Sequence, residues 1–317
     1  MKTAIVVSGG DAPGINAAIE AFARLAQDGG DHVVGAQDGF AGLLEGRLTE
    51  LDRSLLSRLS GGGGSILRSS REPVLSQPEA AERLRAVMRA NDIDNLLVFG
   101  GDGSLKHVLP LLERWGAPAV ALPTTIDNDV AGTDYTLGHD SACNYALQAV
   151  EGIRATAGAL PGRIFMLETL GGHTGYLALA IAHASGADAV LLPEYEFELD
   201  WLAQRARRVV QRAGYALVAL CEFVPGIDSI VEELPRRSGI RLRYTALGHA
   251  QRGADASHYD RTVARDMSRL AWRALQDGLR LGVVALQDGR LTMREGTMPL
   301  HDKAPPDYDL YQQINGL

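Results

Sequence analysis

The chain has 317 residues, 46% of them apolar, enough for one large domain or two ordinary ones with a sizeable core. Its net charge of −8 sets aside DNA and anionic membranes as main partners. It leaves room for a small phosphorylated ligand, because a local arginine cluster overrides the average.

The first apolar run, "TAIVVSGG", begins almost at once, without the pattern of a signal peptide. The helical stretch "NAAIEAFARLAQDGG" follows it. Farther on, "NLLVFGGDGS" precedes "LKHVLPLLERWG", and "PAVALP" leads through a polar stretch to "SACNYALQAVEGIRATAG". "RIFMLET" precedes "GYLALAIAHASG", "AVLLPE" precedes "DWLAQRARRVVQRAG", and "ALVALCEF" and "RYTALGH" follow in turn. Runs that are apolar on both faces and separated by helices predict parallel sheets covered on both sides. Roughly nine or ten such units strain a single open sheet. The expectation is therefore an α/β chain of two Rossmann-like lobes with mainly parallel sheets covered by helices. Residues 1–138 plus about 252–300 would form one lobe, and residues 139–251 plus the C-terminal tail the other. No apolar run approaches the roughly 18 residues of a membrane span. Cys143 and Cys221 each lie in an apolar segment, which suits a reducing compartment without a disulfide framework. A cytoplasmic protein is expected.

In open parallel sheets, ligands sit beyond the carboxyl ends of the strands. The stretches "SGGDAPG", "GGDGS", "TIDND", "ETLGGHTG", "CEF" and "GHAQRG" fall at such ends. Turn chemistry alone explains any one of them. Their common placement points to a ligand.

In "SGGDAPGIN" (Ser8 to Asn16), Gly9 and Gly10 let backbone N–H groups approach an anion at a helix N-terminus. The glycine spacing is not the dinucleotide fingerprint, and no Lys-Ser/Thr follows to make a Walker A loop. "GGDGS" (Gly100 to Ser104) repeats the design with an acid added. Gly101 and Gly103 can admit phosphate oxygens, and Asp102 can hold Mg²⁺ beside them. This loop also resembles those of NAD kinases and diacylglycerol kinases, so it indicates a nucleoside triphosphate. "TIDND" (Thr125 to Asp129) adds the acids that phosphoryl transfer requires. In an extended segment, residues 125, 127 and 129 project to one side. One carboxylate can then face the substrate and the other the metal and phosphates.

Together "SGGDAPGINAAI", "GGDGS", "PTTIDND", "GTDYTLG", "LGHAQRG" and "YDR" resemble the phosphofructokinases, in the order and spacing of the short bacterial enzymes. The resemblance runs from Thr3 to about Gly282. It implies a glycolytic kinase that phosphorylates the 1-hydroxyl of fructose 6-phosphate from ATP with Mg²⁺. It implies a homotetramer, a dimer of dimers whose sugar-phosphate site is shared between subunits, with no nucleic acid or membrane partner. Residue by residue, it makes Asp127 the catalytic base, with Asp129 beside it. Asp102 becomes the magnesium-associated acid, and Thr125 contacts the transferred phosphate. Gly10, Arg71, Gly101, Asp102, Gly103 and Ser104 become nucleotide-phosphate contacts, and Glu72 lies on the adenine side. Glu222, His249 and Arg252 become sugar-phosphate contacts, with the turn Leu170, Gly171 and Gly172. Arg163 and Arg243 are the arginines that reach the 6-phosphate from the adjacent subunit. Guanidiniums forking onto a phosphate make physical sense of that set. The remaining histidines lack metal-ligand spacing and read as structural or solvent-exposed.

The chain departs from the family pattern in several places. Leu170 and Gly172 stand where Met and Arg are usual, and the missing Arg removes a charge near the transferring phosphate. The same turn occurs in the regulatory halves of the long eukaryotic enzymes, but those have lost the "TIDND" acids, which remain here. Glu72, Lys106 and His107 alter the adenine side, and Arg68 replaces a glycine and can return positive charge. Gly103 matches ATP-using members. Thr124 matches neither them nor the pyrophosphate-using members, which carry Lys there, so ATP is favoured. The alternatives are a pyrophosphate-dependent enzyme, a kinase for another sugar phosphate, or a catalytically weak nucleotide-binding regulatory subunit. Of the family's effector positions, Arg24, Arg53 and Arg154 remain and Asp188 can stand for a metal-binding acid. Glu20, Ala213 and Gly214 replace basic residues, so a weak response to ADP or phosphoenolpyruvate is expected.

Overall fold

The computed structural model describes residues 1–56, 59, 61–70 and 73–317. The strands, in chain order, are β1 (Lys2–Val7), β2 (His32–Ala36), β3 (Leu48–Glu50), β4 (Asn95–Gly100) and β5 (Ala119–Pro123). Then come β6 (Arg163–Thr169), β7 (Ala189–Leu191), β8 (Tyr215–Cys221), β9 (Arg241–Ala246), β10 (Leu281–Gln287) and β11 (Arg290–Glu295). Contacts divide the chain into two compact units. One comprises Met1–Ser141 with Arg252–Lys303, the other Ala142–Gln251 with Ala304–Leu317.

The first unit holds a seven-stranded sheet in the order β11-β10-β5-β4-β1-β2-β3. Strands β10, β5, β4, β1 and β2 run parallel, and antiparallel β11 and β3 close the edges. Every residue of β4 and β5 is buried, as expected for central strands covered on both faces. From β1 the chain moves outward to β2. From β4 it moves the other way, through β5 to β10. The order therefore reverses between β1 and β4, and open α/β sheets leave a ligand crevice at such a point. Both strands lead there into glycine-rich loops: Ser8–Gly10 after β1 and Gly100–Gly103 at the end of β4.

The helices that follow begin at those loops. Gly14, at φ 93°, precedes the helix Ile15–Asp28, and a Cβ there would stand 2.8 Å from Leu137 Cδ1. Glycine is needed for both the left-handed conformation and the close approach. Helix Asp102–Trp115 starts directly after Gly101, and no side chain caps its N-terminus. Its first N–H groups thus remain available for an anion.

The second unit holds a four-stranded sheet, β7-β8-β6-β9, parallel throughout. Strands β6 and β8 are largely buried, whereas β9 is an edge strand with most residues exposed. Cys143 and Cys221 belong to this unit, the first half-buried and the second buried. Among the described residues, no helix is long and apolar enough to cross a membrane.

Candidate active site

A cleft of about 420 Å³ opens at the switch point of the first unit. Its floor is made of glycine because side chains would close it. A Cβ on Gly9, at φ 98°, would stand 2.5 Å from Ser104 Oγ, and one on Gly10 would lie 3.0 Å from Arg252 Nη1. At Gly103 a Cβ would meet nothing within 4 Å, so this residue faces open space.

The acids come from the end of β5. The strand stops at Pro123, and Thr124 makes a single bridge to Leu137 before the chain bends. Thr124 is buried, and its hydroxyl donates to the Leu122 carbonyl at 2.9 Å. Thr125 Oγ1 accepts from the Asp127 N–H at 3.2 Å. The segment is not extended as the sequence suggested. Asn128 adopts φ 57°, a left-handed conformation that asparagine tolerates, and its side-chain oxygen accepts from the Thr136 N–H at 3.0 Å. The bend buries Ile126, yet Thr125, Asp127 and Asp129 all still line the cleft.

Asp127 Oδ1 and Asp129 Oδ1 are buried without hydrogen-bond partners. Burial raises the Asp127 pKa, and the Arg252 guanidinium, 3.8 Å from Oδ2, only partly offsets it. Asp129 is pushed up to about 6, first by burial and then by the charges of Asp127 and Asp102. Its folded pKa thus exceeds the unfolded value of 3.8. Between those values the folded chain holds more protons than the unfolded one, so stability falls as pH rises through that window. Asp129→Asn should therefore raise the unfolding free energy by roughly 1–3 kcal/mol at neutral pH and by little at about pH 4. Denaturant titrations at the two pH values measure this, and an equal gain at both would refute a charge origin.

Asp102 sits in the first turn of its helix, and Lys106 Nζ lies 2.8 Å from its Oδ2. Burial opposes the charge on Lys106, but the hydrogen bonds it donates to Asp102 and Asp302 outweigh it and raise the ammonium pKa. Lys303 Nζ donates to the Asn128 carbonyl at 2.9 Å, tethering the bend from a distant part of the chain. His139 contacts the Ile126 carbonyl through Nδ1 at 2.8 Å. Behind the loop stands Asp260 of "YDR", fully buried in the helix His258–Gln276. It accepts from Tyr135 Oη at 2.6 Å, Gly138 N at 2.8 Å and Ser141 N at 2.9 Å, and from the Ser141 hydroxyl.

In the second unit, Glu222 Oε1 accepts from the Gly172 N–H at 3.0 Å. Gly172 and Gly171 take φ 59° and 144°, and a Cβ on Gly171 would meet the Thr174 carbonyl at 2.8 Å. Leu170 is buried, its N–H donating to Gln251 Oε1 at 3.0 Å. His249 is exposed in the turn Gly248–Gln251. Arg163 pairs with Arg241 across β6 and β9, and Phe165 pairs with Arg243. Arg163 and Arg243 therefore project from the same face of adjacent strands. Arg71 and Glu72 lie outside the described residues.

The phosphofructokinase family pattern matches residues 2–275, nearly the whole length over which these loops and acids are arranged. This chain belongs to the phosphofructokinase family. The ATP-dependent 6-phosphofructokinase of Actinobacillus succinogenes is 36% identical over 291 residues, covering 92% of this chain and 90% of that one. ATP-dependent 6-phosphofructokinase 1 of Clostridium perfringens is 35% identical over 317 residues, covering 100% and 99%. Among solved structures, Pichia pastoris phosphofructokinase in its T-state superposes with a TM-score of 0.85 at 28% identity. That match covers 93% of this chain, which spans only 34% of the Pichia chain. The pyrophosphate-dependent phosphofructokinase of Marinobacter aquaeolei, with a TM-score of 0.81 at 23% identity, shares the fold.

Several departures of this chain from the family pattern now have locations. Arg68 does not return charge to the cleft. It pairs with Asp38 at 3.1 Å and is largely exposed, and its own φ of 57° accounts for glycine being usual there. His107, which the sequence placed on the adenine side, lines the cleft together with Ser104. Glu20 is buried and binds Arg24 at 2.6 Å and Arg265 at 3.0 Å, so it neutralises the arginine it stands beside. Asp188 Oδ2 accepts from the Leu217 N–H at 2.8 Å.

Proposed function

We propose that this phosphofructokinase transfers the γ-phosphoryl group of ATP to the 1-hydroxyl of fructose 6-phosphate, giving fructose 1,6-bisphosphate and ADP in glycolysis. The observation that carries this reading is the pair Asp127 and Asp129, which line a glycine-floored cleft and each keep a buried, unpartnered carboxylate oxygen. The names of the bacterial relatives support ATP as donor. So does Gly103, whose open side leaves room for an α-phosphate.

Asp127 accepts the proton of the 1-hydroxyl as that oxygen attacks the γ-phosphorus and the bond to the ADP oxygen breaks. Arg252, 3.8 Å from its Oδ2, adds positive charge beside it. Thr125 contacts the transferred group, and Gly10 and Gly101 to Ser104 present backbone N–H groups to the remaining phosphates. Among the described residues, no three or more His, Cys, Asp or Glu side chains converge as a metal cage. Mg²⁺ keeps waters and binds through one or two carboxylates plus substrate phosphates. Asp102 would hold it, with Asp129 near, and the ion would offset charge on the transferring phosphate. Glu222, His249 and the turn at Leu170–Gly172 bind the sugar. The subunits form a homotetramer in which Arg163 and Arg243 serve the 6-phosphate of a neighbouring subunit, a reading supported by their shared face beside an exposed edge strand. Two cysteines in apolar segments suit the reducing cytoplasm.

The test is a donor comparison with fructose 6-phosphate under matched Mg²⁺. Turnover with ATP at least about tenfold above that with pyrophosphate is expected. Faster turnover with pyrophosphate would reverse the donor assignment, and turnover with neither would leave a regulatory subunit.

Arg243→Ala should raise KM for fructose 6-phosphate by about 10- to 100-fold, the loss of one or more charged hydrogen bonds. The KM for ATP should stay within about threefold. Steady-state kinetics measures both. Equal shifts in the two would remove Arg243 from the sugar-phosphate site.

A further inference from the structure

Lys106 occupies a position that the reaction scheme above does not use. Its Nζ lies 2.8 Å from Asp102 Oδ2 and 2.9 Å from Asp302 Oδ1. The two holds differ in kind. Asp102 and Lys106 are both four-fifths buried and sit one turn apart on the same helix, whereas Asp302 is 97% exposed. An exposed pair is screened by water and salt and exchanges readily.

The cleft beside this pair is rich in negative charge. Asp102, Asp127 and Asp129 all line it, and among the described lining residues Arg252 is the cationic side chain. A nucleotide adds several more negative charges. An ammonium on a flexible four-carbon stem offers three donors, enough to keep Asp102 and also reach a phosphate oxygen.

We infer that Lys106 is a resident cation of the donor site, leaving Asp302 for the donor's phosphates while keeping Asp102, so that nucleotide binds here even without a divalent metal. This rests on the reading of the cleft as the ATP site. Lys106 is then a binding and positioning residue, standing in part where the metal's charge stands.

The experiment is equilibrium binding of ATP by calorimetry, without sugar phosphate, in EDTA and in saturating Mg²⁺. It uses the wild type, Lys106→Met and Lys106→Arg, each checked for native thermal unfolding. The wild type should bind ATP in EDTA. Lys106→Met should weaken that binding at least about tenfold in EDTA but no more than about threefold in Mg²⁺, where the ion restores the charge. Lys106→Arg should stay within about threefold of wild type in EDTA. Wild-type binding that vanishes in EDTA but is present in Mg²⁺ would overturn the inference and leave the donor reading intact. So would a Lys106→Met loss that is equal in both conditions, which would mark a purely structural ion pair. Absence of ATP binding even in Mg²⁺ would overturn the donor reading and this inference with it.

Discussion

Asp127→Asn should lower kcat by on the order of 10²–10⁴-fold while leaving fructose 6-phosphate affinity nearly unchanged. The substitution keeps the shape of the side chain and removes its capacity to take a proton. Folding should survive it. The carboxylate gains little from its surroundings: Oδ1 has no partner, the Arg252 contact is 3.8 Å long, and burial disfavours the charge. An amide at that place escapes the desolvation penalty, so stability should hold or rise slightly. A coupled assay of ADP release gives kcat, and calorimetry with fructose 6-phosphate gives affinity. Turnover within a few-fold of wild type would take the base role away from Asp127. Lost sugar binding with preserved turnover per bound substrate would recast it as a binding residue.

Asp260→Ala should cost roughly 3–5 kcal/mol of stability, the largest structural effect expected in the first unit. Asp260 is fully buried and satisfies the Tyr135 hydroxyl, the Gly138 and Ser141 N–H groups and the Ser141 hydroxyl. Removing the acceptor leaves those donors buried and unpaired, and each carries its own desolvation penalty. The expected fall in Tm is on the order of 10 °C. Turnover should drop too, because this network fixes the loop whose Thr136 hydroxyl donates to the Thr125 carbonyl at 2.7 Å. Thermal unfolding measures the first effect and steady-state kinetics the second. A loss below about 1 kcal/mol would mean that the loop is held by other contacts.

These two residues show how unevenly the sequence speaks. Asp127 stood out by its neighbours, acids at the ligand-binding end of an apolar strand, while its part as base came only with the family resemblance. Asp260 was visible only as part of "YDR", with nothing nearby to say what it holds. Its partners Tyr135 and Ser141 lie more than a hundred residues earlier in the chain.

The sequence by itself determined the α/β class, through apolar runs separated by helical periodicity, and the loops that line the cleft, through glycines and acids at strand ends. Both are local signals, set by backbone preference and side-chain alternation over a few residues. The tertiary structure alone decided the strand order. It inserted β10 between β5 and β11 after the chain returned from its second unit, and so completed the sheet on which the cleft stands. It also bent "TIDND" at Asn128 where alternation implied an extended run, brought Lys303 to the Asn128 carbonyl, and set Arg252 beside Asp127. Such pairings join residues far apart in the chain, and their free energy comes from burying surface and satisfying polar groups across the whole core. No local window contains that information, because the partner lies outside it.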